Sequence, residues 1–260
     1  MITELQLELT IKCNSNCIMC PRDSIKRNIE DGFIDVAFAK KIIDEAWEQG
    51  ARMLKPQWYG ESMLHPAYVE ILTYAKKKGY KLVIFTNGSL LDEEMRKAFV
   101  DIGVDKVFVS IDASSAKEYE EIRRGLKFKI VVNNMIKYYG IKKSEMKLLV
   151  SAVELGKGNT RNMKKAFDSF TDAVIINKAV EYNKVAKAKR KVVCKHNVLG
   201  RLVVAFDGSC YLCCHDWLGE YYIGDLKTQT VSEVMNSDRR KHYTKDLSVL
   251  NICQFCDSYV

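Results

Sequence analysis

The sequence has no segment that would export it or hold it in a bilayer. Its opening residues, MITELQLELTIK, alternate apolar and polar as a strand does, and they lack the basic start and apolar stretch of a signal peptide. No apolar run approaches the roughly 18 residues that span a membrane. Neither a fixed-period repeat nor a low-complexity tract is present, which excludes solenoids and biased, unstructured repeats. Without export, the nine cysteines belong to a reducing cytoplasm, where clustered thiols serve metals or catalysis more often than disulfides. What is there is ordinary globular material. The 260 residues are 47% hydrophobic and 28% charged, enough for a large core with or without a small companion domain.

Strand and helix patterns alternate along the first two thirds. Residues 6–10 read as a strand, and 34–49 as a helix with Ile34, Phe38, Ile42 and Ala46 on one face before Gly50. A strand over 53–59 precedes a helix over 67–78, opened by Pro66 and closed by three lysines and Gly79. Strand 81–85, a helix running from Asp92 as N-cap to residue 102, and strand 106–111 follow. Helical stretches to about residue 139, strand 147–154, helix 160–169 and strand 173–177 complete the series. About six βα units predict an α/β fold: an open, partial (β/α)6 TIM-like barrel rather than a closed eight-unit one.

After residue 177 the character changes. A basic connector, 183–195, leads to a β-hairpin that turns at Asp207-Gly208, and six of the nine cysteines fall in this tail. The expected boundary lies near residue 183, giving a barrel over 1–183 and a small domain over 184–260. So small a tail builds little core, and a bound metal would hold it together.

Residues 13–20 read CNSNCIMC, three thiols with no fourth nearby. A structural zinc site and an ordinary iron–sulfur cluster each take four protein ligands. Three ligands leave one metal position open for a substrate or cofactor. In parallel α/β folds function gathers at the C-terminal ends of the strands. Four unusual loops begin there: CNSNCIMC, YGES, TNG and SIDAS. The plain alternative for the cysteines is a zinc knuckle completed by a distant ligand.

Together these loops resemble those of the radical S-adenosylmethionine (radical SAM) enzymes. The resemblance implies that Cys13, Cys17 and Cys20 hold three irons of a [4Fe–4S] cluster whose fourth iron binds the methionine part of SAM. One electron then cleaves the sulfonium, and a 5′-deoxyadenosyl radical removes a substrate hydrogen. It also implies cofactor contacts from Gly60 and Glu61, from Ser110 and Asp112 at the fourth strand end, and from Arg123 to the methionine carboxylate. Arg123 reads equally as one of two arginines at a helix end, and Thr86 and Asn87 equally as turn residues. The family pattern is broken at three places: Met19 stands where an aromatic residue is usual, and Tyr59 and Ser62 replace a glycine and a proline. Flexible, polarizable Met19 fills a similar space.

The tail is similar to the SPASM/twitch extension of that family. Thirteen residues separate Cys194 from Gly208, and four separate Gly208 from Cys213. Only Cys253 and Cys256 follow, so the resemblance implies one auxiliary [4Fe–4S] cluster held by Cys194, Cys213, Cys253 and Cys256. This is the truncated twitch arrangement of the family's deoxyinosamine-type dehydrogenase; a zinc ribbon with the same ligands is the alternative. An auxiliary cluster without an open iron suits electron transfer, and hence dehydrogenation of a small alcohol or carbohydrate-like substrate; a purely structural staple is the other use. Cys210 and Cys214 remain, either as small buried hydrophobes or as catalytic hydrogen donors of an epimerase. His215 and Asp216 follow them and could supply a base, although a lone loop histidine more often only hydrogen-bonds.

The net charge of +8 and the basic run suit a phosphorylated or nucleotide-linked sugar, an acidic peptide or nucleic acid. No aromatics interleave the run to stack bases, which disfavours nucleic acid and with it a metal-stabilised nucleic-acid-binding protein. Because a barrel strand opens the sequence, no leader-binding domain is expected in cis, and a small molecule is expected in preference to a peptide, unless a separate partner presents one. An electron donor such as flavodoxin or ferredoxin is implied by the family.

Overall fold

The computed structural model describes residues 1–24, 32–156, 158–178, 194, 198–254 and 256. Six parallel strands run side by side: β1 (Glu4–Leu7), β2 (Met53–Lys55), β3 (Lys81–Thr86), β4 (Lys106–Ser110), β5 (Lys147–Glu154) and β6 (Ala173–Lys178). Alternation aims one set of side chains at the helices and the other into the concave face. On β1 and just beyond, Leu5, Leu7 and Leu9 are fully buried, while Glu4, Gln6 and Glu8 take the opposite face. On β4, Val107 and Val109 are buried in the same way, and Phe108 and Ser110 are half-buried. The parallel strands form the open, partial barrel that the βα repeat predicts.

The helices obey local signals. Asp35 caps α1 (Val36–Glu48) by accepting the Phe38 N–H at 2.8 Å, and Ala39, Ile42, Ile43 and Ala46 form its buried stripe. α2 (Tyr68–Lys78) ends at Gly79 in the left-handed conformation, with three lysines in its last turn. Asp92 caps α3 (Glu93–Ile102) through the Met95 N–H. α4 (Ala116–Ile122) and α5 (Phe128–Ile141) follow β4. Between them Arg123–Arg124 pairs antiparallel with Asn16–Cys17, a short ribbon that anchors the cysteine loop.

Some boundaries shift for physical reasons. β1 begins and ends earlier than residues 6–10, because Glu8 and Leu9 bond Val204 and Ile34 instead of β2. β2 stops at Lys55 rather than 59, since Pro56 has no N–H to donate. The helix expected over 160–169 shrinks to α6 (Met163–Phe167), because Asn162 sits at φ 66°.

The tail hairpin turns at Asp207-Gly208 as expected, joining β7 (Arg201–Val204) to β8 (Ser209–Tyr211). β7 pairs parallel with β1, placing Glu4 opposite Arg201, and β9 (Tyr222–Asp225) continues the sheet antiparallel to β8. The tail thus extends the barrel sheet from its first edge. Short helices α7 (Val231–Met235), α8 (Asp238–Lys245) and α9 (Asn251–Gln254) follow. The boundary near residue 183 and the basic connector, Cys194 apart, lie outside the described residues. Among the described residues no helix is long and apolar enough to cross a membrane.

Candidate active site

A cavity of about 320 Å³ opens at the C-terminal ends of β1 to β4. Cys13, Cys17 and Cys20 line it together with Met19, Gly60, Glu61, Asn87, Ser110 and Arg123, so every first-loop and cofactor-contact expectation except Asp112 lies on the wall of a single cavity, with Thr86 beside them. Ser15 bridges two of the thiols, its hydroxyl lying 3.2 Å from the Cys13 sulfur and 3.6 Å from that of Cys17. Arg22 donates to the Cys13 carbonyl at 3.2 Å.

Gly60 fits the cysteine loop against the second strand end. It sits at φ 86°, and a Cβ there would lie 2.5 Å from the Thr10 carbonyl oxygen and 2.7 Å from that of Lys12. The following Glu61 N–H donates to the Lys12 carbonyl at 2.8 Å. The Glu61 carboxylate, only 3% exposed, accepts the Thr86 hydroxyl at 2.9 Å and the Asn87 N–H at 2.7 Å. Burial pushes this carboxyl up, and those donors offset only part of the shift. Asn87 serves as both a turn and a brace: its oxygen accepts the Ser89 N–H, and its amide donates to Asn14 in the cysteine loop at 2.8 Å.

Asp112 stands behind the cavity wall, fully buried, with its Oδ2 2.7 Å from Nε of Arg123. Its other oxygen accepts the Val153 N–H at 2.7 Å. Arg123 also points Nη1 at the Cys17 sulfur, 3.8 Å away. Burial alone would lower the Arg123 pKa, but the charges of Asp112 and Cys17 more than offset it.

In the tail, Cys213, Cys253 and Cys256 are buried and Cys194 is half-buried against the core. Hydrogen bonding with Cys214, then burial and the neighbouring Cys214 and Cys256 charges, hold the Cys213 thiol well above its usual range. Cys210 is fully buried, donates to the Gly208 carbonyl at 3.6 Å, and does not line the cavity. Cys214 instead receives Nη1 of Arg201 at 2.9 Å, and the same guanidinium pairs with Glu4 of β1. Asp216 accepts the Glu220 and Tyr221 N–H groups at 2.9 and 2.8 Å; burial outweighs those bonds and raises its carboxyl to about 6. Among the described residues no three His, Cys, Asp or Glu side chains converge as around one metal ion. An iron–sulfur cluster asks for no such convergence, because its thiolates are spread over several irons.

Sequence reasoning missed the aromatic rim and the residues that meet the tail. Trp58 and Tyr59 line the cavity and both donate to the Cys214 carbonyl, at 2.6 and 3.3 Å. Gln57 and Phe85 line it as well. Period-two alternation from Lys55 would have pointed Gln57 inward, whereas nothing local links Trp58 to a residue 156 positions away.

The donor set, an anchored three-thiol loop beside a buried arginine–aspartate pair, fits a metal cluster that keeps one position open. The chain matches the Radical SAM superfamily family model over residues 7–151 and the iron–sulfur cluster-binding SPASM domain over 194–257. It belongs to the radical SAM superfamily. The first of these domains binds a [4Fe–4S] cluster and SAM, and the second binds auxiliary iron–sulfur clusters. The chain is 38% identical over 111 residues to the tungsten-containing aldehyde ferredoxin oxidoreductase cofactor-modifying protein of Pyrococcus furiosus, covering 42% of this chain and 30% of that protein. It is 25% identical over 202 residues to an uncharacterized protein of Methanocaldococcus jannaschii, covering 75% and 64% of the two. The chain therefore spans less than two thirds of the length of either relative. Its fold is similar to BtrN in complex with AdoMet and 2-DOIA, with a TM-score of 0.67, 18% identity and coverage of 99% and 93%. It is also similar to Streptococcus suis SuiB bound to precursor peptide SuiA, with a TM-score of 0.76, 12% identity and coverage of 100% and 72%.

Proposed function

We propose that this radical SAM enzyme dehydrogenates a small hydroxyl-bearing, carbohydrate-like substrate. In this reading Cys13, Cys17 and Cys20 hold the SAM-binding cluster, and Cys194, Cys213, Cys253 and Cys256 hold one auxiliary cluster. Together the clusters and SAM supply one-electron cleavage of the sulfonium, hydrogen abstraction from the carbinol carbon and a sink for the second electron. The chain's own residues do the rest. Arg123, held by Asp112, offers a fixed cation to the methionine carboxylate. Glu61 ties the second and third strand ends together, and Gly60 lets the cysteine loop approach them. Trp58, Tyr59 and Phe85 give the cavity an aromatic lining that excludes water.

The observation that carries the reading is the pair of hydrogen bonds from Trp58 and Tyr59 to the Cys214 carbonyl. They tie the tail's cysteine loop to the rim of the cavity, close to where an electron leaves the substrate. Neither Cys210 nor Cys214 lines the cavity, and full burial of Cys210 weighs against its use as a hydrogen donor, so an epimerase reading would rest on the half-buried Cys214. The test is anaerobic reconstitution, reduction with dithionite or with flavodoxin, and assay with SAM and candidate alcohols such as 2-DOIA. Formation of 5′-deoxyadenosine together with a ketone supports dehydrogenation. 5′-Deoxyadenosine with an inverted alcohol product would replace it with epimerisation.

A further inference from the structure

We propose that the buried guanidinium of Arg201 tunes the reduction potential of the auxiliary iron–sulfur cluster, and with it the readiness of that cluster to take an electron from the substrate. The inference rests on the reading above in which Cys213 and its partners hold the cluster. Arg201 opens β7, whose four residues are all buried, and the parallel register places it opposite Glu4 of β1. Its Nε pairs with the Glu4 carboxylate, and its Nη1 lies 2.9 Å from the Cys214 sulfur. Cys214 follows Cys213 directly, and the two side chains share a hydrogen bond. The Trp58 and Tyr59 bonds to the Cys214 carbonyl hold the same residue at the cavity rim.

The ion pair with Glu4 does not by itself account for Arg201. Lys55 also pairs with Glu4, at 2.9 Å, so the carboxylate has a cation without Arg201. Two cations on one acid leave surplus positive charge at a guanidinium whose side chain is only 7% exposed. A neutral thiol is a weak acceptor, and a poor partner for a buried charged donor. A cluster bound by four thiolates is a better one: it carries net negative charge and gains more when reduced. Net charge and hydrogen bonding around the sulfurs set the potential of such a cluster, and a fixed cation beside it favours the reduced form. Burial would lower the Arg201 pKa, yet the charges of Cys214, Glu4 and Cys213 more than offset it, so the cation is permanent. On the dehydrogenation reading, the substrate radical gives one electron to the cluster and its hydroxyl releases a proton to solvent, leaving the ketone. A higher cluster potential makes that transfer more favourable.

The test is a redox titration of the cluster-loaded full chain followed by electron paramagnetic resonance, in which the signal that added SAM leaves unchanged belongs to the auxiliary cluster. Arg201→Gln should lower the reduction equilibrium constant of that signal by about tenfold, equivalent to about 59 mV for one electron. Glu4→Gln still offers Arg201 an acceptor but removes the compensating charge, so it should raise the constant by about threefold or more. A merely structural ion pair would shift neither, or both in the same direction. Equal midpoints in the wild type and both variants at full iron content would overturn the proposal, and so would shifts of one sign. Should Arg201→Gln lose the auxiliary cluster, Glu4→Gln decides alone: an unchanged or lowered midpoint refutes the tuning role. A wild type that holds only about four irons per chain, all in the signal that SAM alters, would instead refute the auxiliary cluster itself, and this inference with it.

Discussion

Nε of Arg123 lies 2.7 Å from Oδ2 of Asp112, an ion pair whose acid is fully buried and whose base is 10% exposed. It joins the end of β4 to the ribbon in which Arg123 pairs with Cys17. Removing one partner strands the other in a medium of low polarity. Asp112→Ala is expected to destabilise the protein by about 3–5 kcal/mol, as read by denaturant unfolding. Arg123→Lys should fold and load its clusters yet bind SAM more weakly, because an ammonium cannot present the planar fork. Asp112→Ala with wild-type stability would show that the pair is dispensable.

Gly60→Ala tests the close approach at the second strand end. The left-handed backbone at φ 86° costs an alanine about 1–2 kcal/mol. The contact with the Thr10 carbonyl adds to that, and relieving it must push the cysteine loop outward. Iron content at the SAM-binding cluster should fall while the auxiliary cluster persists. Full cluster loading in Gly60→Ala would mean that the loop moves without consequence.

The choice of auxiliary ligands is checked by iron and sulfide analysis of single alanine variants at 210, 213 and 214. The variant at Cys213 should lose about four irons per chain, the content of one [4Fe–4S] cluster. Those at Cys210 and Cys214 should keep them. Loss in the Cys214 variant with Cys213→Ala intact would transfer the role to the thiol that Arg201 contacts at 2.9 Å.

Asp172 predicts a pH dependence of stability. It accepts the Leu148 N–H at 2.7 Å and pairs with Lys142 at 3.2 Å, bracing β5 against β6. Burial pushes its carboxyl up, but these donors prevail and hold it below the usual carboxylate value. A depressed folded value stabilises the protein above the unfolded pKa of about 3.9, and the benefit is lost as pH falls through the folded value. Unfolding free energy measured from about pH 5 down to pH 2 should therefore decline less steeply in Asp172→Asn than in the wild type. Parallel declines would deny Asp172 this role.

Turnover in heavy water separates the two reaction outcomes. A ketone carries no hydrogen at the oxidised carbon, so no solvent deuterium should appear there, and Cys214→Ala should still turn over. A product with one deuterium at that carbon, lost in Cys214→Ala, would point to a thiol donor.

Much of this protein is legible along the chain because its signals are local. Caps act over three or four residues, as Asp35 and Asp92 do at α1 and α3. Leu5, Leu7 and Leu9 mark one face of the first strand by alternation. The spacing of Cys13, Cys17 and Cys20 puts three thiols on one loop, and their cavity is where a parallel sheet gathers function. Pro56, too, was visible as a reason for β2 to end early, although the apolar run beyond it read as strand.

What the tertiary structure decided are the meetings between distant segments. Nothing near Arg201 announces that it will bridge Glu4 and Cys214, since that requires β7 to dock parallel on the free edge of β1. Arg123 read equally as a helix-end charge and a ligand-binding group until folding set it against Asp112. The buried side-chain oxygen of Gln57, which has no hydrogen-bond partner, is likewise a property of the assembled cavity. Backbone periodicity and capping are encoded within a few residues, whereas the partner of a buried charge or amide depends on which strand edges meet and which groups already share their hydrogen bonds.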